Sequence, residues 1–337
     1  MATPDVLPEA CPPVSAILLN WNGRGMAEDC LRHLAAQTYH PLQIVVVDNG
    51  STDGSADELA SLCPQAILVR NPDNLGYATG MNQGIGLATG EYLLLLNQDV
   101  LLTADYLSQA AAALARDERI GMVGGKVYRL VDGEKTRAID NVGLFLLKTL
   151  ASTNSVNVDA EEMVFGPSGS CPLVRRAMLE DVALAPGHYL DDTYFAFGED
   201  IDLWWRAHLR GWTCLYTPQA VAWHAHSGSL AGKVGLFEKP ALFRRHALKN
   251  RYVTLVKDLP GGLILWLLPW LMLTEVLLAA YLLLRHPGSL GDLLWAWRES
   301  IHLLPQAWRQ RRQIQARRTV PVDSLRVFFK GYRGPLP

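Results

Sequence analysis

The 337-residue sequence lacks paired cysteines, a linker-like tract and a recognisable leader. Its five cysteines, Cys11, Cys30, Cys63, Cys171 and Cys214, are odd in number and form no C-x-x-C pair. That argues against a disulfide framework and a cysteine-built zinc site, and leaves reduced thiols in a cytosolic compartment as the expectation. Residues 1–13 carry Asp5, Glu9 and four prolines where a secretory leader needs a basic start and an apolar run. The body is therefore expected to stay on the side of the membrane where it is made. No Ser/Gly/Pro-rich stretch divides residues 12–235 and no segment repeats. The glycine fingerprint of dinucleotide-binding enzymes is also incomplete, because Gly84 and Gly86 lack a third glycine and a strand feeding them. With 49% hydrophobic and 19% charged residues, disorder is excluded as well.

What is present divides by charge. Residues 1–235 carry 15 Lys and Arg against 27 Asp and Glu, whereas residues 236–337 carry 16 against 6. An acidic body with a basic tail suits an anionic membrane surface or nucleic acid. Nucleic acid is not expected, because "RQRRQIQARR" has no aromatic platform or known module beside it. Within the tail, residues 261–284 form an apolar run with one charged residue, Glu275, interrupted by Pro269. The run is long enough to cross a bilayer, yet a mid-membrane carboxylate is costly. Both flanks are basic, so a single span would place one against the positive-inside tendency. A re-entrant hairpin or interfacial segment on the cytoplasmic leaflet is expected instead, with the tryptophans of "LLWAWRESIHLLPQAW" (293–308) at the interface. A helix buried on the soluble body is the alternative.

In the body, apolar runs alternate with helical patterns. Strands are expected at 14–20, 42–48, 66–70 and 91–97, and helices at 27–36, 55–62 and 77–88. The alternation predicts an α/β fold with a largely parallel sheet covered on both faces. In such sheets ligands bind beyond the carboxyl ends of the strands. Asn20, Asn22, Asp48 to Thr52, Asn97 and Asp99 all fall at those ends. "LLLLNQDVLL" (93–102) poses the sharpest question, since it runs four leucines into Asn97 and Asp99. At i, i+2 spacing they could reach a hard cation that also holds a diphosphate, or simply terminate a strand in solvent. Asp48 in "VVVDNGSTDGS" is either turn chemistry or a contact to a nucleobase or ribose. In 189–212, Asp191, Asp192, Glu199, Asp200 and Asp202 crowd among aromatics. Asp202 and Arg206 could be only a helix pair, but Trp204 and Trp205 offer faces for a sugar. His224 and His226 alternate as on a strand, so one would face the site.

The order of "LLNWNG", "VVVDNGSTDGS", "NLGYATGMNQGI", "GEYLLLLNQDV", "SGSCPLVRR", "FGEDIDLWWRAHLRGW" and "VAWHAHSGS" resembles the blocks of family 2 inverting glycosyltransferases of the GT-A fold. Within the family the chain is most similar to bacterial rhamnosyltransferase-type members that build cell-surface polysaccharides. The resemblance implies a GT-A domain over 12–235, with a nucleotide-sugar half (12–100) and an acceptor half (101–235), followed by a basic helical tail (236–337).

It also implies roles. Asn20, Asn22, Asp48 and Ser51 would line the nucleotide pocket, completed by Asn74, Gly76, Tyr77 and Asn82. Asn97 and Asp99 would stand for the family's D-x-D motif, with Asn97 departing from its acidic first position. Asp99 and His224 would hold Mg2+ or Mn2+, and Asp200 would be the general base. Glu199 and Asp202 would hold the acceptor or orient the base, with Trp204 and Trp205 also placed at the acceptor. The implied reaction is metal-dependent, inverting transfer of a sugar, rhamnose by resemblance, from a nucleotide-diphosphate donor to a lipid-linked or cell-surface glycan. Its place would be the cytoplasmic face of the membrane, peripheral or monotopic. A membrane-bound scaffold of the same fold that has lost activity is the competing expectation.

Overall fold

The protein is described here from a computed structural model, which covers residues 11–155, 157–225 and 236–330. The first half alternates strands and helices: β1 (Val14–Asn20), α1 (Met26–Ala35), β2 (Leu42–Asp48), α2 (Ser55–Leu62), β3 (Ile67–Arg70), α3 (Tyr77–Leu87) and β4 (Tyr92–Asn97). Each expected element forms with bounds shifted by at most one residue. β4, β1, β2 and β3 lie side by side in that order, all parallel. Alternate side chains of β1 explain its unbroken apolar run. Ile17 and Leu19 face one core with Met81 and Ile85 of α3, while Ala16 and Leu18 face another with Leu31 of α1. A strand buried on both faces has no polar side to show.

The glycines of α3 belong to this packing. A Cβ on Gly84 would lie 2.3 Å from Ile17 Cγ2, and one on Gly80 2.5 Å from Leu19 Cδ1. Any larger residue there would push the helix off the sheet.

The second half adds mixed pairing: β5 (Val100–Leu102), α4 (Tyr106–Leu114), β6 (Ile120–Val131), β7 (Glu134–Asn141), β8 (Leu144–Leu146), β9 (Ser152–Asn154), β10 (Glu162–Val164), β11 (Leu173–Arg175), α5 (Arg176–Val182), α6 (Glu199–Leu209) and β12 (Thr213–His224). The main sheet runs β10-β12-β6-β11-β4-β1-β2-β3, with β5 on β12 and β7 on β6. β11 is antiparallel to both β4 and β6, and it joins the parallel half to the rest.

Three long helices follow: α7 (Ala241–Lys257), α8 (Gly261–Arg285) and α9 (Leu290–Ala316). The hairpin expected within 261–284 does not form. α8 is one continuous helix, and Pro269 sits on its exposed side. Leu263, Leu267 and Leu271, one turn apart, pack into the core that holds Trp205 and Phe329. Most of the remaining surface is open, with Leu265 72% and Leu284 81% exposed. The helix is long and apolar enough to cross a membrane by length and composition. Its one carboxylate, Glu275, turns inward to Arg251 (2.6 Å) and the Tyr252 hydroxyl (2.7 Å) of α7.

α7 is fastened to the body by buried charge. Lys257 Nζ, fully buried, pairs with Asp191 Oδ2 at 2.6 Å and with Asp202 Oδ1 of α6. Asp202 in turn takes Arg206 Nη2 at 2.9 Å and Nε at 3.1 Å. Lys257→Met leaves two buried carboxylates short of a cation and is expected to cost about 3–5 kcal/mol of stability. Urea unfolding of the purified protein checks this, and an unchanged midpoint would show that the cluster does not hold the tail.

Candidate active site

The carboxyl ends of β1, β2 and β4 and the start of α6 meet at one opening. At its donor side the Asn20 amide donates to Asp48 Oδ1 (2.7 Å), Ser51 Oγ (3.1 Å) and Ser55 Oγ (2.9 Å), and the Ser51 N–H donates to Asp48 Oδ2 (3.1 Å). Asn22 adopts a left-handed φ of 49°, and its Oδ1 accepts from the Thr52 N–H at 2.8 Å. Asp48 therefore does the turn chemistry weighed for it, at the mouth of the sheet where a nucleotide would lie. Asn74 closes a turn by accepting from the Gly76 N–H (2.9 Å) and from Asn49 (3.0 Å). Asn49, within the 48–52 cluster read from sequence, also donates to the Gly76 carbonyl.

Two residues assigned to the nucleotide pocket serve another loop. Gly76, at φ 85°, abuts the backbone of Phe195, where a Cβ would fall 2.8 Å from its carbonyl oxygen. The Asn82 amide donates to Leu190 O (2.8 Å) and Asp192 Oδ1 (2.9 Å), and its oxygen accepts from the N–H groups of Tyr189 and Leu190. Both tie α3 to residues 189–195 and are committed to protein partners.

Asp99 lies in the turn between β4 and β5, 6% exposed, with Oδ1 3.3 Å from His224 Nε2. The other ring nitrogen of His224 meets Asp140 Oδ2 at 3.1 Å. Burial works to lower the His224 pKa, but the Asp99 charge and the bonds to both aspartates override it and raise it to about 9. Asn97 Oδ1 is buried with no hydrogen-bond partner among the described residues. His226, the other histidine of the pair read from sequence, lies outside the described residues.

Asp200 opens α6. Its Oδ2 accepts from the Gly169 N–H at 3.2 Å, and its Oδ1 from the Ile201 N–H at 2.8 Å. The same segment ties to the end of β4, since the Asn97 N–H donates to Ser170 O at 2.9 Å. The Tyr77 hydroxyl donates to Gly169 O (3.1 Å), and burial together with Glu199, Asp200, Cys171 and Asp99 pushes its pKa far up. Tyr77 thus stands within the field of both Asp200 and Asp99. Burial raises Asp200 above the usual carboxylate range against the two N–H bonds. Glu199 is pushed up to about 8, by burial first and then by the Asp200 charge.

Three acceptor-side assignments are corrected. Trp204 and Trp205 are each 1% exposed, so neither face is open to a sugar. Trp204 Nε1 donates to Pro167 O, and Trp205 packs edge-on against Phe165. Asp202 is 0% exposed and fully engaged by Arg206 and Lys257. The helix-pair reading of Asp202 was right as far as it went. Sequence reading missed Asp140, Asn250 and Lys257, none of which carries a local motif, and gave no role to Gly169 within its block.

The family model described as "Glycosyl transferase family 2" matches residues 15–183, half of the chain. The chain belongs to glycosyl transferase family 2. It is an enzyme of glycosyl transfer. An N-acetylglucosaminyl-diphospho-decaprenol L-rhamnosyltransferase of Mycobacterium tuberculosis is 27% identical over 285 residues, covering 77% of this chain and 88% of that protein. An uncharacterized glycosyltransferase of Haemophilus influenzae is 26% identical over 129 residues, and the match spans 37% of this chain and 40% of that relative's length. Among solved structures, a mannosyltransferase from Pyrobaculum calidifontis in complex with GDP-Man and Mn2+ superposes with a TM-score of 0.54 at 21% identity, covering 92% of this chain and 86% of that one. That likeness establishes the GT-A fold expected from the motif order.

The Glu199 environment sets a pH dependence. A carboxyl raised in the folded state favours folding while protonated, so its contribution is full below its ordinary pKa of 4.5 and is lost as pH climbs toward about 8. The stability of Glu199→Gln relative to wild type should therefore rise between about pH 5 and about pH 8. Thermal melting of both proteins across that range checks it, and parallel curves would show that Glu199 does not titrate there.

Proposed function

We propose that this enzyme transfers a sugar, with inversion, from a nucleotide-diphosphate donor to a hydroxyl of a lipid-linked glycan at the cytoplasmic face of the membrane. Residues 12–100 would form the donor half and 101–235 the acceptor half, with the helices of 236–337 bracing the acceptor side. The observation that carries the reading is the convergence of the Asp99–His224 pair and the Asp200 carboxyl around Tyr77 and Gly169.

The residues fit a divalent cation carried by the donor's diphosphate. Asp99 gives a hard oxygen, His224 a nitrogen, and the orphaned Asn97 Oδ1 a further oxygen close by in sequence. Among the described residues no set of three or more His, Cys, Asp and Glu forms a self-sufficient metal cage. That suits a cation completed by phosphate oxygens and water. The mannosyltransferase and the uridine-nucleotide-bound relatives of this fold support a nucleotide-sugar donor with Mn2+. Bound there, Mg2+ or Mn2+ would neutralise the charge of the departing diphosphate.

Asp200 would take the proton of the acceptor hydroxyl as it attacks the anomeric carbon from the opposite face. Its raised pKa makes it a stronger base than an exposed carboxylate, and the Gly169 N–H fixes where it points. Glu199, neutral at physiological pH, would add no second charge beside it. Donation from the Asn20–Asp48–Ser51 cluster would shape the nucleoside end of the pocket.

Rhamnose and a polyprenyl-diphosphate acceptor are supported by the mycobacterial rhamnosyltransferase, whose name specifies an acceptor of that class. The open face of α8 and the basic residues around it support attachment to an anionic leaflet. Flotation with anionic vesicles should carry the protein upward, and recovery in the dense fraction would remove the membrane part.

Calorimetry with dTDP, UDP and GDP, with and without Mn2+, tests the site. One nucleotide should bind in a Mn2+-dependent way, and Asp99→Ala should abolish that dependence. Asp200→Asn should keep the binding and lose roughly 100- to 10,000-fold in transfer rate. Wild-type turnover in Asp200→Asn would sink the base assignment.

A further inference from the structure

Three buried side chains, distant in sequence, line up at the mouth of the sheet. His224 ends β12, Asp99 precedes β5 and Asp140 comes from β7. The backbone delivers Asp140 by a bulge. β7 pairs with β6 so that Asn141 faces Val127 and Ile139 faces Tyr128, and Asp140 is the extra residue between them. A bulge re-aims a side chain that strict alternation would send elsewhere, and bulges concentrate beside active sites. Here it places a carboxylate, 3% exposed, 3.1 Å from His224 Nδ1.

We propose that Asp140 is a positioning residue for the cation site, holding the proton on His224 Nδ1 so that Nε2 is presented beside Asp99 Oδ1. The inference rests on the cation reading under Proposed function. An imidazole offers one nitrogen to a ligand, and which one is set by the bond the other makes. A carboxylate on Nδ1 fixes the tautomer and the ring plane and makes Nε2 a better donor. Nε2 already points at Asp99 at 3.3 Å, so a cation between the two would need no rotation of the ring. Packing alone would not ask for this residue, since an asparagine of the same shape could accept from Nδ1 equally well. The charge is what an asparagine would lack.

The test uses the full chain in detergent and the substitution Asp140→Asn. Mn2+ uptake is followed by loss of the free-ion electron paramagnetic resonance signal, in turn with saturating UDP, GDP and dTDP. Mn2+ affinity with the binding nucleotide should fall roughly 10- to 100-fold in Asp140→Asn, while metal-free nucleotide binding stays at the wild-type level. Equal Mn2+ affinity in the two proteins overturns the inference. If the variant does not fold, nitrogen-15 histidine resonances of the wild type decide instead. With Mg2+ and the nucleotide, Nε2 of His224 should shift while Nδ1 stays protonated, and a response at Nδ1 overturns the proposal. Wild-type protein that takes up no Mn2+ with any of the three nucleotides defeats the cation reading itself, and this inference with it.

Discussion

The buried cluster around Lys257 decides where everything on the acceptor side stands. One ammonium joins three pieces: α7, the loop that begins at Asp191, and the helix that carries Asp200. Formal charges balance within it, with Lys257 and Arg206 against Asp191 and Asp202. Asp258 lies beside them, its carboxyl pushed far up by burial and by the Asp202 charge. Burial alone would raise Asp202, but Arg206 and Lys257 hold it below the ordinary range. Such clusters are poor sources of net stability, because desolvation consumes most of the attraction. What they fix is register, since no slipped arrangement offers these charges another set of partners.

The register matters because the loop it holds is strained. Phe195 and Phe197 have φ of 59° and 66°, a region costly for bulky residues. The Asn250 amide of α7 holds the carbonyls of Tyr194 (3.0 Å), Ala196 (2.9 Å) and Phe197 (2.5 Å). Phe195 stacks on His246 of α7, and Phe197 meets Phe243 edge-on. On the opposite side Asn82 and the Tyr77 N–H grip the same loop. Helix α3 and the tail helix α7 thus clamp one loop from two directions, and Asp200 lies three residues beyond Phe197. α8 follows α7 after three residues, so whatever surface α8 meets is mechanically close to Asp200.

This arrangement explains what could be read in the sequence and what could not. β1, β2 and β4 were legible because burial on both faces of a parallel strand leaves an apolar run ending in a polar residue, and Asp48 and Asp99 follow from that. Trp205 and Asp202 were misread for one shared reason. Taking residues 236–337 as a tail left one flank of α6 nominally open, when Lys257 and Phe329 in fact cover it. A helix covered on both sides turns every tryptophan into core. The expected hairpin in 261–284 fails similarly, because the charge that made a straight apolar helix look costly is neutralised by Arg251 of α7. Each missed partner lies dozens of residues away, beyond any periodic pattern.

Asn97 brings the same point to the centre of the site. In the D-x-D motif the chain resembles, both ends are acidic, and here the first is an amide whose oxygen is buried without a hydrogen-bond partner among the described residues. Read along the chain, that is a lost charge. Read across the sheet, a carboxylate stands at the far side of His224, supplied by the β7 bulge 41 positions beyond Asp99 in sequence. A cation held beside Asp99 and His224 would feel Asp140 through the ring, at longer range and so more weakly than a direct ligand. The amide would still offer a neutral oxygen without the repulsion that a second carboxylate would add toward a diphosphate. On the cation reading proposed above, the motif's charge would sit on another strand, beside His224, where only the folded sheet brings it.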